Sequence, residues 1–68
     1  MRDVTVLIVG DFKSSYVNVE FDSVENLIKS IDDIIYELGI GSVSIEIEDD
    51  TKFSPIEISF LNTNDIII

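Results

Sequence analysis

Apolar and polar residues alternate along much of this chain, and one central segment follows a different period. Residues 3–9 are β-branched and apolar on both faces, which is typical of a central strand. Residues 16–21 alternate strictly, and residues 43–48 and 56–61 also alternate, as half-buried strands do. Glycine and polar residues separate the first two segments and favour a hairpin between them. The pattern therefore predicts four strands.

The central segment, residues 23–38, is predicted to be a helix. Its apolar residues recur at i, i+3, i+4 and i+7. They form one stripe of Val24, Leu27, Ile28, Ile31, Ile34, Ile35 and Leu38. Asp22 or Ser23 offers an N-cap oxygen before the helix. Gly39 follows the last apolar position and suits the left-handed conformation that ends many helices.

The order β-β-α-β-β predicts a single α+β domain over residues 1–68, with one helix packed on a four-stranded mixed sheet. A right-handed crossover and a central first strand favour the strand order 2-1-4-3, in which strands 1 and 4 are parallel. This is a β-grasp arrangement, and it resembles the protein G and ubiquitin-like domains in layout. An antiparallel order 2-1-3-4 is the alternative. Residues 66–68 are expected to add a short C-terminal strand or to cover an edge.

One helix covers one face of the sheet, so we expect the other face to be solvated. Polar residues of several strands would lie there: Tyr16, Asn18, Glu20, Ser44, Glu46, Glu48, Glu57 and Ser59. A largely apolar strip would run among them, formed by Thr5, Leu7, Val9 and Leu61. Such a strip rimmed by polar groups is a common interface signature, although scattered exposed apolar residues are also normal.

The charge balance narrows the choice of partners. Fourteen acidic and four basic residues give a formal net charge of −10, and a hydrophobic content of 46% favours folding over disorder. Nucleic acid and anionic membranes would repel this chain, so we expect neither as a direct partner. A protein with a basic surface is the electrostatic complement. We also expect a cytoplasmic location, because the sequence shows no signal peptide and no membrane span.

Cysteine and histidine are both absent, which excludes disulfides, thiolate chemistry and ordinary zinc sites. Self-association into a homodimer is then the remaining common aid to the stability of so small a domain. Asp49 and Asp50 stand near Glu46 and Glu48, but the spacing of a calcium loop is missing. We therefore expect a solvated acidic hairpin without metal or cofactor. We expect no enzyme activity either, since the sequence contains no nucleophile or phosphate-binding motif.

The acidic residues are predicted to form two patches. Glu46 and Glu48 would lie about 6.6 Å apart on one strand, and Glu20 and Glu57 would extend that patch. A second patch, on the exposed side of the helix, consists of Asp32, Asp33 and Glu37. Two interpretations stay open. The patches are either a solubilising surface or an acidic face that imitates a phosphate backbone and occupies a basic groove.

The aromatic residues outside the apolar stripes are candidates for binding or for closing the core. Tyr16 falls on the solvated sheet face and Tyr36 on the polar side of the helix, where exposed aromatics are typical of binding sites. Phe12 and Phe53 lie in turns. We expect both to fold over the ends of the sheet as part of the core.

In its small size, strong acidity and lack of catalytic motifs, the chain resembles phage-encoded DNA mimics and anti-CRISPR proteins. The resemblance implies an inhibitor that occupies the basic groove of a nucleic-acid-binding protein, in the cytoplasm of the phage's host. The candidate partner-binding residues are Glu20, Glu46, Glu48, Glu57, Asp49, Asp50, Asp32, Asp33, Glu37, Tyr16 and Tyr36. The alternative is a protein–protein adaptor or structural subunit that associates through an apolar sheet face or an edge strand. Its complexes would survive high salt, whereas those of the acidic inhibitor would not.

Overall fold

The computed structural model describes residues 1–41 and 43–68, which form four strands and two α-helices. The elements are β1 (Arg2–Val9), β2 (Ser14–Phe21), α1 (Val24–Leu38), β3 (Ser44–Ile47), α2 (Pro55–Thr63) and β4 (Ile66–Ile67). A 3₁₀ turn at Asp50–Lys52 connects β3 to α2. The predicted α+β class and four-stranded mixed sheet are confirmed.

The strands lie in the order β2-β1-β3-β4. β1 is antiparallel to both β2 and β3, and the short β4 runs parallel to β3. The favoured order 2-1-4-3, with the first and last strands as parallel neighbours, is therefore wrong. The observed order is that of the alternative 2-1-3-4, but its last strand is parallel to β3. That strand is the expected short C-terminal one, because the segment predicted as strand 4 has a different structure.

Residues 56–61 form most of α2, so the strand predicted there is wrong. Ser54 is the N-cap of this helix, and its Oγ accepts a hydrogen bond from the Glu57 N–H (3.3 Å). Glu57 Oε1 in turn accepts one from the Ser54 N–H (3.0 Å). This capping box, followed by proline at the first helical position, satisfies or removes N–H groups that would lack partners. Ile58 and Leu61 are three residues apart and face the core together, so the apolar positions of this segment also fit a helix.

The predicted helix α1 is confirmed, together with a signal at each of its ends. Ser23 is the N-cap, and its Oγ accepts a hydrogen bond from the Asn26 N–H (3.3 Å). Gly39 has a φ of 65°, and its N–H donates to the carbonyl of Ile35 (3.1 Å). Glycine adopts this left-handed conformation without the strain that a Cβ would cause.

Both helices pack against the same face of the sheet, and the core lies between this face and the helices. The buried hydrophobic residues are Val4, Val6, Ile8, Val19, Phe21, Leu27, Ile31, Ile47, Phe53, Leu61 and Ile66. Leu61 was expected on the solvated face, yet its exposed fraction is 0%. The helical conformation of α2 directs this side chain into the core. The residues predicted to face inward in the segments 16–21 and 43–48 pack in or against the core, except Val43, which is exposed and precedes β3.

Gly10 directly follows β1 and passes close to Ile40, which gives a testable prediction. A Cβ at Gly10 would overlap Cγ2 of Ile40 and lie 3.3 Å from the carbonyl oxygen of Lys13. We expect Gly10→Ala to lower the free energy of unfolding by about 1–3 kcal/mol, because Ile40 must be displaced. Urea denaturation followed by far-UV circular dichroism measures this change.

Gly41→Ala is the matched control for that measurement. A Cβ at Gly41 would lie 3.5 Å from Asp11, which is an ordinary contact. We expect a change within about 0.5 kcal/mol. An equally small change for Gly10→Ala would contradict the close approach of Gly10 and Ile40.

Candidate protein-binding face of the sheet

The sheet face opposite α1 and α2, here named the open sheet face, has no helix packed on it in the described chain. It carries the odd-numbered residues of β1 and the even-numbered residues of β2 and β3. Its acidic residues are Asp3, Glu20, Glu46 and, directly after β3, Glu48. Sequence reasoning missed Asp3 as a site residue, although its alternation with the apolar residues of β1 places it on this face.

Asp3 and Glu20 are direct cross-strand neighbours. A cross-strand pair in an antiparallel sheet is either hydrogen-bonded or non-hydrogen-bonded, and the hairpin turn decides which type Asp3 and Glu20 form. At the turn, the Gly10 N–H donates to the Lys13 carbonyl (2.8 Å). Backbone hydrogen bonds therefore fall on every second pair counted from Gly10 and Lys13. Asp3 lies an odd number of residues from Gly10, so its pair with Glu20 is a non-hydrogen-bonded one, with Cα atoms about 4.5 Å apart. Like charges directly opposite each other destabilise a sheet.

Two neighbouring side chains fix the position of Asp3. Asn18 Nδ2 donates to Asp3 Oδ2 (3.3 Å). Lys52 Nζ donates to the Asp3 carbonyl (2.6 Å) and lies 3.8 Å from its Oδ1. Lys52 thus stands at the rim of the open sheet face and offsets part of the charge there. Both partners of this ion pair are exposed to solvent, so it adds little to stability.

Tyr16 and Glu48 connect the two sides of the open sheet face. The Tyr16 hydroxyl donates to Glu48 Oε1 (3.3 Å). Because β1 separates β2 from β3, the Tyr16 side chain extends across β1. In the register, Leu7 of β1 lies between Tyr16 and Glu46. The face therefore combines carboxylates with a half-buried aliphatic residue and an exposed aromatic ring.

Glu57 does not lie on the open sheet face, so its predicted position there is wrong. Its carboxylate accepts two hydrogen bonds from the Arg2 guanidinium (2.8 and 3.1 Å) on the helix-bearing side. The guanidinium lies 4.8 Å from the ring centre of Phe21 and 5.9 Å from that of Phe53. The hydrogen bonds from Arg2 have the largest effect on the Glu57 carboxylate, and the bond from the Ser54 N–H has the next largest. They lower the pKa of Glu57 to about 2. The Glu57 carboxylate thus joins α2 to β1, and its bonds are used within the fold.

Asp49 and Asp50 lie in the turn between β3 and α2. The Thr51 hydroxyl and then the Thr51 N–H donate to Asp49 Oδ1, and these bonds lower the pKa of Asp49. Asp50 is exposed at the start of the 3₁₀ turn. Across residues 1–41 and 43–68, no three acidic side chains are grouped so that they could hold a metal ion.

The remaining predicted site residues lie on α1, on the opposite side of the molecule from the open sheet face. They are Asp32, Asp33, Tyr36 and Glu37, and all four are exposed. The structure therefore divides the predicted acidic residues between two surfaces with the sheet between them. A flat partner surface cannot contact both at once.

The two turn phenylalanines have different environments. Phe53 is buried and stacks on Phe21 with 5.7 Å between ring centres, so its predicted role in the core is confirmed. Phe12 is fully exposed, and its predicted role in the core is wrong. The hydrogen bond between Gly10 and Lys13 closes a tight turn, which leaves Phe12 at the tip of the hairpin.

No protein-family model, curated protein or solved structure matches this chain. None of the helices in the described residues is long and apolar enough to cross a membrane.

Proposed function

We propose that this protein is a non-catalytic inhibitor that binds the basic surface of a nucleic-acid-binding protein through its open sheet face. The observation that carries the proposal is the grouping of Asp3, Glu20, Glu46 and Glu48 on one uncovered face of a sheet. A groove that normally receives phosphates is complementary to such a surface. Occupation of that groove would exclude the nucleic acid.

The energetic cost of this arrangement supports a role in binding. Asp3 and Glu20 repel each other across a close strand pair, and a polar uncharged residue at either position would remove the repulsion. Arg2 is paired with Glu57, and Lys52 lies 3.8 Å from Asp3 and offsets part of its charge. Among the described residues, Glu20, Glu46 and Glu48 are in no ion pair, so their charges remain uncompensated.

Two triple variants with the same net charge test the proposal. One combines Glu20→Gln, Glu46→Gln and Glu48→Gln on the open sheet face, and the other combines Asp32→Asn, Asp33→Asn and Glu37→Gln on α1. Both change the net charge from −10 to −7, since −10 + 3 = −7. The native protein and both variants serve as tagged baits in host lysate, washed at about 50 mM and about 500 mM salt. Mass spectrometry identifies the captured proteins.

We expect a nucleic-acid-binding protein to be captured by the native bait and by the α1 triple at low salt. The sheet-face triple should bind that protein at least about tenfold more weakly, because the lost charges lie in the interface. Duplex DNA should displace the native bait from the captured protein. Equal binding by the two triples, or capture that DNA does not affect, would contradict the proposal.

A second candidate function, that of an adaptor or structural subunit, is favoured by apolar groups on α2 and β4. Ile56 and Phe60 are exposed four residues apart on α2, and Ile67 is exposed on the edge strand β4. Residues at i and i+4 lie next to each other on a helix surface and can form one contact. Capture that survives the high-salt wash and is lost with Ile56→Ser would replace the inhibitor with this function.

A further inference from the structure

The outer edge of β2 presents a row of backbone groups that no other strand of the described residues pairs with. The hydrogen-bond pattern set by Gly10 and Lys13 directs the N–H and C=O groups of residues 15, 17, 19 and 21 toward β1. The same groups of Ser14, Tyr16, Asn18 and Glu20 therefore point away from the sheet. Within residues 1–41 and 43–68, no backbone bond from a turn, loop or cap reaches them.

This edge lacks the features by which proteins usually prevent strand addition. β2 spans eight residues, pairs with β1 in one continuous register without a bulge, and contains no proline and no lysine. Long, regular edges of this kind are templates for another strand. Glu20 is the one charged residue in β2.

The negative charge beside this edge favours a basic segment as its occupant over a second copy of the chain. Asp3 and Glu20 are cross-strand neighbours at the end of β2 that leads to α1, and Asp22 directly follows β2. A second copy of the chain would bring another net charge of −10 to the same place. Lysine or arginine at alternate positions of an extended segment would instead meet these carboxylates on the open sheet face, opposite Glu20.

We propose that β2 binds an extended, lysine- or arginine-bearing segment of the protein partner by strand addition. The proposal rests on the proposed function for the basic character of the partner, and it specifies the form in which part of that partner is bound. Each of the four outward residues offers one donor and one acceptor, so a full pairing adds eight backbone hydrogen bonds. The basic side chains of the added strand would lie beside Glu20 and Tyr16.

A synthetic peptide of alternating lysine and threonine, acetylated and amidated at its ends, is the probe. The control peptide has the same sequence with a methyl group on the backbone nitrogen of every lysine. Both peptides carry the same charge, but the control lacks the donors needed when the peptide pairs antiparallel to β2 with its lysine side chains on the open sheet face. We expect the unmethylated peptide to bind at least about tenfold more tightly. Amide exchange followed by NMR should slow at Ser14, Tyr16, Asn18 and Glu20, the four residues whose amides point outward.

The matched protein variants are Asn18→Pro and Asn18→Thr. Proline at this position removes an outward N–H without removing a hydrogen bond to β1, so the sheet should stay intact. We expect Asn18→Pro to bind the unmethylated peptide at least about tenfold more weakly than Asn18→Thr does. If Asn18→Pro does not fold, the comparison of the two peptides on the native protein decides alone.

Equal affinity for both peptides, or no detectable binding of either, would overturn the strand-addition proposal. Neither result affects the proposed function, which the two triple variants test with the natural partner. Sedimentation of the native chain alone checks the other occupant of this edge. A dimer that Asn18→Pro abolishes would show that a second copy fills the edge, and would overturn the basic segment as its ligand.

Discussion

Leu61→Ala is expected to lower the free energy of unfolding by about 2–5 kcal/mol. Leu61 lies on α2 and is completely buried in the core between the helices and the sheet. Its replacement by alanine therefore removes apolar contacts and leaves a cavity. Leu7→Ala is the matched control, because Leu7 is half-buried on the open sheet face. We expect it to cost about 1 kcal/mol. Urea denaturation followed by circular dichroism measures both changes.

The control also tests the assignment of α2 as a helix. If residues 56–61 were a strand with the predicted alternation, Leu61 and Leu7 would share the open sheet face and lose similar amounts. A domain of this size has a total stability of only about 3–10 kcal/mol. If Leu61→Ala does not fold, Leu61→Val and Leu7→Val replace the two alanine variants. The losses of unfolding free energy should then be smaller, but still greater for Leu61→Val than for Leu7→Val. Equal losses for the two sites would contradict the structure.

Glu57→Gln is expected to destabilise the fold by about 1–2 kcal/mol, because it removes the charge from the paired hydrogen bonds with Arg2. Glu37→Gln, on the exposed surface of α1, is the control. It relieves repulsion from Asp33 four residues away, so we expect a gain of about 0.2–0.5 kcal/mol. Equal effects of Glu57→Gln and Glu37→Gln would show that the Arg2–Glu57 pair contributes nothing particular to stability.

The contribution of Glu57 should depend on pH in one direction. Its pKa is about 2 in the folded protein, against an ordinary value of 4.5. A lowered folded-state pKa stabilises the fold above the ordinary pKa, and this stabilisation is lost as the pH falls toward 2. The difference in unfolding free energy between the native protein and Glu57→Gln should therefore be constant near neutral pH and shrink below about pH 4.5. A difference that grows in acid would contradict the ion pair.

The sequence predicted the first half of the fold well because several signals agreed there. In α1 the apolar period, the Ser23 cap and Gly39 all indicate the same helix. In the hairpin, the alternation of β2 correctly placed Tyr16 and Glu20 on the solvated face. Local signals of this kind act over a few residues, so they can be recognised without knowing the rest of the fold.

The second half was predicted less well because the alternation of residues 56–61 is compatible with two secondary structures, a strand and a helix. Isoleucine and phenylalanine at alternate positions favour a strand, but a helix can also bury Ile58 and Leu61 together. The sequence Ser54-Pro55-Ile56-Glu57 was the discriminating signal, since it combines a capping box with proline at the first helical position. The strand order depended on this one segment. Once it forms a helix, the last strand available is Ile66–Ile67, which pairs with β3.

The same error explains which part of the candidate site was predicted. Glu20, Glu46 and Glu48 lie in or beside correctly predicted strands and share the open sheet face. Glu57 was assigned to that face through the wrong strand, and its carboxylate is instead paired with Arg2. Asp3 could have been found from the period of β1 alone. Its closeness to Glu20, however, depends on the hairpin register, which the turn geometry sets.

The contact between Arg2 and Glu57 has a consequence for the kinetics of folding. It joins residues 55 positions apart, so it closes most of the chain into one loop. Closing so long a loop carries a large entropic cost before the contact can form. Contacts of this range generally follow local structure such as a hairpin or a helix. We therefore expect the loss of this ion pair in Glu57→Gln to raise the unfolding rate more than it lowers the folding rate.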